Sequence, residues 1–177
     1  MTTNDRRTGA FQHHAEETAN IACAPQELFD FLDDHRNLAV HMSSSNSSPM
    51  MGGGRMELVL GPDGGKEVGS HVIMRGRAFG FDLYLEEVVI ERIPGEGKTW
   101  QTLDVKLIVI GAYQFGFHIE PQASGSRLTV RIDYGPPHPR SLLGLLFGPT
   151  YARWCVQQMT RSAVGRFGSA SPRAQQA

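Results

Sequence analysis

The chain of 177 residues has little cysteine, almost no net charge and no long hydrophobic run. Its two cysteines, Cys23 and Cys155, lack the paired spacing of a zinc knuckle or a disulfide framework, so we expect buried free thiols. Lys and Arg number 17 against 18 Asp and Glu, which leaves no basic field to attract nucleic acid or an anionic membrane. The longest apolar runs, 107–112 and 142–147, are much too short to span a bilayer.

Sequence signals for targeting and for nucleotide or metal chemistry are also missing. No apolar segment follows Arg6 and Arg7, which argues against a signal peptide and leads us to expect a cytoplasmic protein. No HExxH or CxxC motif and no Ser-His-Asp order is present, and the glycines at 52–54 lack the lysine of a phosphate-binding loop. We therefore expect no metal and no cofactor.

The length suits a single domain, which we predict to extend over 13–167, with flexible termini at 1–12 and 168–177. A first helix is predicted to begin at Pro25, because proline has a helical φ and lacks an amide proton that the first turn leaves unpaired. An apolar cluster at Leu28, Phe29 and Leu32 gives this helix one buried side. Asp34 is predicted to cap a second short helix that extends through Val40.

Short polar turns separate the strand-like segments of the chain, which indicates antiparallel pairing. In the last two segments apolar residues alternate with polar ones, so one face of the sheet is predicted to be dry and the other solvated. The predicted strands are 14–22, 56–60, 67–75, 79–91, 98–106, 111–120 and 127–134.

One long helix, predicted over 141–167, is available to cover the dry face, because its apolar residues recur at helical spacing. Pro149 predicts that 142–147 forms a separate turn or a kinked first part of this helix. The Ser/Gly-rich segment 42–54 has too little bulk to bury itself and is predicted to be a mobile gate.

Several segments resemble the START-like superfamily, also called SRPBCC, in its polyketide cyclase/dehydrase and lipid-transport branch. The resemblance rests on the opening Ile21–Asp34, the pair Asn37 and Leu38, the strand repeat, and the segments 126–130 and 151–159. It implies an α+β helix-grip (START/Bet v 1-like) fold, in which a curved antiparallel sheet wraps around a long C-terminal helix and two short helices follow the first strand.

The resemblance also implies a hydrophobic cavity between the sheet and the final helix. Large amphipathic side chains are predicted to face or flank this interior, and apolar pockets with a few polar tips are typical ligand sites. The predicted ligand-binding residues are Trp100, Tyr113, Phe115, Phe117, Tyr134, Tyr151, Trp154, Met159, His41 and His71.

Candidates for acid–base chemistry are few in the sequence. Among the histidines, His41 and His71 are the best candidates, although a position at the rim or in solvent is favoured for both. Asp82, Glu86 and Glu87 are predicted to form an outer surface rather than a pair of catalytic carboxylates. No catalytic residue is assigned.

Three classes of function remain open at this stage. The favoured one is binding or carriage of a hydrophobic small molecule, such as a lipid, quinone, sterol-like or polyketide-like compound. The second is a cyclase or dehydratase that acts on a polyketide-like or aromatic substrate, and the third is a protein-interaction adaptor with a filled cavity. We expect an apolar small-molecule partner, no nucleic acid and no membrane span; a homodimer is left open.

Overall fold

The computed structural model describes residues 11–37, 55–78, 81–136 and 142–170. In these ranges seven strands form one sheet in the order β1-β7-β6-β5-β4-β3-β2, and every neighbouring pair is antiparallel. The strands are β1 (His13–Ile21), β2 (Arg55–Leu60), β3 (His71–Ala78), β4 (Phe81–Ile93), β5 (Gly97–Lys106), β6 (Tyr113–Gln122) and β7 (Gly125–Tyr134). The helices are α1 (Pro25–Asp33) and α2 (Leu142–Phe167).

The helix α1 begins at Pro25, as the sequence predicts, and packs on the inner face of the sheet. Leu28, Phe29 and Leu32 are buried, and the Phe29 ring lies 5.9 Å from the Phe117 ring of β6. The carboxylate of Asp34 accepts a hydrogen bond of 2.9 Å from the Arg36 amide, which caps a helical turn at 35–37. The remainder of the predicted second helix, 38–40, lies outside the described residues, as does the predicted gate at 42–54.

Side chains alternate between two faces in the central strands, and the predicted dry face of β6 and β7 is confirmed. Two irregularities interrupt the pairing of β4 with β5, one between Glu86 and Glu87 and the other between Val89 and Glu91. The second leaves Ile90 unpaired and shifts the side-chain alternation by one residue, so that Arg92 reaches the inner face.

The helix α2 covers the dry face and lies mainly against β1 and β7. Its buried side chains follow a helical spacing, with Ala152, Val156, Met159 and Ala163 all at most 4% exposed. The helix is continuous through Pro149, so the predicted separate turn at 142–147 is wrong. Proline lacks one backbone donor, and the helix tolerates this loss within its first turns. No helix in the described ranges is long and apolar enough to span a membrane.

One strand boundary differs clearly from the prediction. The predicted strand 67–75 starts only at His71, because residues before it form a turn. The Ser70 hydroxyl donates a hydrogen bond to the Asp63 carboxylate, and the Glu67 amide donates to Ser70 Oγ at 3.0 Å. Gly69 has a φ of 90°, which a strand does not contain.

Candidate functional site

The indole of Trp100 lies at the centre of the sheet's inner face and is 4% exposed. Phe115 on the neighbouring strand β6 packs against it, with ring centroids 5.2 Å apart. The ring of His35, from the turn after α1, meets the same indole edge-on at 5.1 Å. Trp100 therefore separates two buried groups of polar side chains, one around Glu87 and one around Lys98.

The first polar group is centred on Glu87 of β4, which is 1% exposed. The Tyr113 hydroxyl donates a hydrogen bond of 2.5 Å to Glu87 Oε1. The Tyr113 backbone is held in turn by the Thr102 hydroxyl, which accepts a hydrogen bond of 3.0 Å from the Tyr113 amide and donates one of 3.3 Å to the Tyr113 carbonyl. The second carboxyl oxygen, Glu87 Oε2, has no hydrogen-bond partner among the described residues.

Burial raises the pKa of Glu87 to about 7, although the Tyr113 hydrogen bond, the neighbouring Trp100 indole and the charge of Lys98 all act in the opposite direction. The protonated and the charged forms of the carboxyl are therefore both accessible near neutral pH. Burial and the nearby Glu87 charge also raise the pKa of Tyr113 well above its ordinary value, so its hydroxyl remains a hydrogen-bond donor.

Two residues of α2 border this group. Burial raises the pKa of Cys155 to about 12, and the Glu87 charge raises it further against a hydrogen bond with Tyr151. Burial likewise raises the pKa of the Tyr151 hydroxyl. Cys155 is a free cysteine, and at neutral pH its sulfur is a thiol rather than a reactive thiolate.

The second polar group is built around Lys98 of β5, whose side chain is 0% exposed. The Lys98 Nζ donates to Asp33 Oδ1 at 2.8 Å, to the Asp33 carbonyl at 3.0 Å and to the Gly65 carbonyl at 2.7 Å. Arg92 binds the same Asp33 carboxylate with two hydrogen bonds of 3.1 and 2.8 Å. The lysine thus joins the end of α1, the loop before β3 and the sheet.

The charges within this group oppose the cost of burial. Burial raises the pKa of Asp33, but hydrogen bonds and positive charge from Arg92 and Lys98 outweigh it, so the pKa lies below its ordinary value. Burial lowers the pKa of Lys98, and hydrogen bonding to Asp33 counteracts this in part. Because three oxygen atoms occupy the three ammonium hydrogens, Lys98 is a structural cation rather than a free base.

His35 lies between the two groups. It is 4% exposed, and its Nδ1 atom lies 3.4 Å from Lys98 Nζ. Burial, together with the charge of Lys98, lowers the pKa of His35 from 6.5 to about 3, so the ring is neutral at physiological pH. Its other ring nitrogen, Nε2, has no hydrogen-bond partner in the part of the chain that the structure describes.

The structure brings most of the predicted ligand-binding residues to the interior. Six are buried in the hydrophobic core and two, on α2, are partly buried. The buried ones are Trp100, Tyr113, Phe115, Phe117, Tyr134 and Met159, and the partly buried ones are Tyr151 and Trp154. His41 lies outside the described residues.

His71 lies outside the interior, which agrees with the rim or solvent position favoured for it and argues against its inclusion among the ligand-binding residues. Its side chain is 54% exposed on the outer face, where Nδ1 lies 2.8 Å from Glu86 Oε1. Asp82 and Glu86 lie on the outer face as predicted, but the outer position predicted for Glu87 is wrong. Glu87 alternates in phase with Leu83 and Leu85, and this parity could have placed it inside.

The group of Asp33, His35, Arg92 and Lys98 was not predicted from the sequence. Lys98 is two residues before Trp100 on the same strand, so the alternation carried a signal for its inward position. Nothing local indicated its partners, since Asp33 lies 65 residues away in the chain. Within the described ranges no cluster of His, Cys, Asp or Glu side chains forms a metal site.

The curved sheet, the long helix packed on it and the inward aromatic side chains define a helix-grip (START/Bet v 1-like) fold. Ginseng major latex-like protein 151 from Panax ginseng is 15% identical, over 88% of this chain and 97% of that one, with a TM-score of 0.60. Norcoclaurine synthase from Thalictrum flavum is 12% identical, over 94% and 92% of the two chains, with a TM-score of 0.63.

A protein from Chromobacterium violaceum is 15% identical, over 89% of this chain and 98% of that one, with a TM-score of 0.59. No protein-family model and no curated protein matches the sequence. At these identities the likeness to solved structures establishes the fold alone.

Proposed function

We propose that this protein binds a hydrophobic small molecule between the inner face of the sheet and α2, with one polar group of the ligand against Glu87. The observation that supports the proposal is Glu87 Oε2, a buried carboxyl oxygen without a partner among the described residues. A buried polar atom without a hydrogen bond costs about 1–3 kcal/mol, and a ligand hydroxyl or carbonyl removes that cost. Glu87 accepts a hydrogen bond when charged and donates one when protonated.

The surroundings of Glu87 favour an apolar and flat ligand. The rings of Trp100, Phe115 and Tyr113 lie on the inner face beside it, and aromatic side chains contribute large contact areas at low entropic cost. A lining that is mostly apolar, with a few polar atoms that fix orientation, is the usual composition of a small-molecule site. Lipids, quinones, sterol-like and polyketide-like compounds all fit this description.

A second candidate function is an acid–base enzyme, a cyclase or dehydratase acting on a polyketide-like or aromatic substrate. The pKa of Glu87, raised to about 7, favours it, because a general acid or base works best with a pKa near the operating pH. Norcoclaurine synthase has also been solved in complex with dopamine and hydroxybenzaldehyde, so a protein with this fold accommodates aromatic compounds.

An adaptor role has one observation in its favour. The first turns of α2 expose Leu142, Leu145 and Leu146 by 74%, 71% and 67%. Exposed apolar surface of this kind is typical of interaction sites. It supports contact with another protein, but it leaves the buried polar atoms of the interior unexplained, and binding of a small molecule therefore stays the primary proposal.

Compartment and partners complete the proposal. The two free cysteines suit a reducing compartment, which supports a cytoplasmic location. The balance of 17 basic against 18 acidic residues supports the absence of a nucleic-acid partner.

The proposal is tested by titrating the purified protein with a fatty acid, a quinone and a sterol, and by native mass spectrometry of protein isolated from its host. At least one compound should bind and should quench the fluorescence of Trp100. The variant Glu87→Leu should weaken binding of a hydroxylated or carbonyl ligand about tenfold, the value of one buried hydrogen bond. Glu86→Leu, on the outer face of the same strand, is the matched control and should bind normally.

Failure of every compound to bind the wild-type protein, together with a ligand-free mass, would refute the proposal. A turnover assay distinguishes the enzyme candidate from the binding function. A bound aromatic substrate that is converted by wild type and not by Glu87→Gln supports catalysis, whereas binding without any product supports a carrier.

A further inference from the structure

His35 offers a second polar contact on the same inner face, and its hydrogen-bonding role differs from that of Glu87. Its side chain is 4% exposed, its ring packs edge-on against Trp100 at 5.1 Å, and its Nε2 atom has no partner among the described residues. Glu87 lies near the same indole, since Trp100 is among the neighbours that influence its pKa. Both unpartnered atoms therefore belong to residues beside the same indole.

The surroundings of His35 determine which of its nitrogens carries the proton. The Lys98 ammonium, 3.4 Å from Nδ1, carries a positive charge and has no lone pair that could accept a hydrogen bond. A proton on Nδ1 would point at that ammonium, so the Nδ1 lone pair faces Lys98 and the proton sits on Nε2. Burial and the Lys98 charge keep the ring neutral.

The ring is also fixed in place. Gly65 lies against it so closely that a Cβ on this glycine would be 3.2 Å from His35 Nδ1, and the Gly65 carbonyl accepts a hydrogen bond of 2.7 Å from Lys98. The lysine thus holds the loop and the histidine together. The Nε2–H group is a preoriented donor that cannot become an acceptor by a change of tautomer.

We propose that the ligand of this protein is a carbonyl compound whose oxygen accepts a hydrogen bond from His35 Nε2–H while its apolar body lies against Trp100. The inference rests on the proposed binding function and narrows it. Glu87 takes either a donor or an acceptor, because its carboxyl is protonated in part at neutral pH, whereas His35 takes only an acceptor. Hydrocarbons and compounds that lack an acceptor oxygen leave this donor unsatisfied.

The test compares 2-acetylnaphthalene with 2-ethylnaphthalene, two probes of similar shape of which only the first has a carbonyl oxygen. Isothermal titration should show that wild type binds the ketone about tenfold more tightly, the value of one buried hydrogen bond. In His35→Phe, which keeps a flat ring without a donor, this preference should vanish while the hydrocarbon still binds. In His35→Gln, whose amide can donate, part of the preference should return.

A measurement on the wild-type protein covers the case in which a variant does not fold. Long-range ¹H–¹⁵N spectra report which ring nitrogen carries the proton, and the ketone should shift the His35 Nε2 signal where the hydrocarbon does not. Equal affinity for the two probes, or a proton on Nδ1, would overturn the inference and leave hydrophobic binding intact. Binding of neither probe, nor of any compound in the wider panel, would overturn the binding function itself.

Discussion

Replacing the buried Lys98 with methionine should destabilise the protein strongly. The substitution keeps an unbranched side chain of similar length but removes three hydrogen bonds, two to Asp33 and one to the Gly65 carbonyl. The side chain is 0% exposed, so water cannot replace the ammonium without reorganising the core. The affected contacts hold α1 and the loop before β3 against the sheet.

The magnitude follows from what the substitution leaves behind. Removal of one partner of a buried ion pair costs about 3–5 kcal/mol, mostly because the remaining charge is unpaired. Arg92 still binds the Asp33 carboxylate with two hydrogen bonds, which places the expected loss at the lower end of that range. The backbone carbonyl groups of Asp33 and Gly65 lose their hydrogen bonds to Lys98 and add a desolvation cost of their own. We expect a loss of about 3 kcal/mol in the free energy of unfolding.

Urea unfolding of wild type, Lys98→Met and the control Arg75→Met measures this loss. Arg75 forms an exposed pair with Glu57 at 3.1 Å, and its removal should cost at most about 1 kcal/mol. Adding Asp33→Asn to Lys98→Met removes the charge that Lys98 neutralised in part, so the double variant should lose less than the sum of the losses of Lys98→Met and Asp33→Asn. A loss below about 1 kcal/mol for Lys98→Met, with additive single effects, would refute the view that Lys98 supports the interior.

Three further predictions concern individual residues. A raised folded-state pKa for Glu87 means that the native state holds its proton more tightly, so stability should fall as the pH rises from 4.5 towards about 7. The variant Glu87→Gln cannot ionise, so its free energy of unfolding should gain up to about 3 kcal/mol relative to wild type between pH 4.5 and 8. Urea unfolding at several pH values measures this difference, and a difference that stays constant with pH would contradict the raised pKa. Gly65→Ala should lower the melting temperature by several degrees, because φ at Gly65 is 74° and the new Cβ would lie 3.1 Å from Val72 and 3.2 Å from His35. Gly64→Ala is the control and should cost less, because Gly64 has a similar φ of 69° but open space around it. Trp154→Ala should cost less than the roughly 3–5 kcal/mol of a fully buried tryptophan, because its side chain is only partly buried, and a larger loss would place it in the core.

Much of the fold could be predicted because its signals are local. Pro25 starts a helix wherever an apolar cluster follows it, and the alternation in β6 and β7 defines an inner and an outer face before any partner is known. Trp100 and Tyr113 were predicted to lie in the interior because large amphipathic side chains on the dry face of a sheet are buried against the elements that cover it.

The polar atoms of the candidate site were missed for a physical reason. A charged residue is more often solvated than buried, so Glu87 and Lys98 were not expected inside unless a partner could be named. Their partners come from other strands and from α1, and pairing them requires the register of the sheet. The face of the sheet that His71 occupies could not be predicted, because the sequence does not reveal the register of its strand, which begins at that residue, four positions later than predicted.

The sequence by itself determined the order of strands and helices, the two faces of the sheet and the apolar stripe of α2, since these depend on short-range periodicity. Only the tertiary structure decided which buried polar groups meet. The irregularity at Ile90 brings Arg92 to Asp33, and the sheet register brings Lys98 to Asp33 and Gly65, which are 65 and 33 residues away in the chain. Such contacts depend on the packing of distant segments, and the same packing leaves His35 Nε2 and Glu87 Oε2 beside one indole without partners among the described residues.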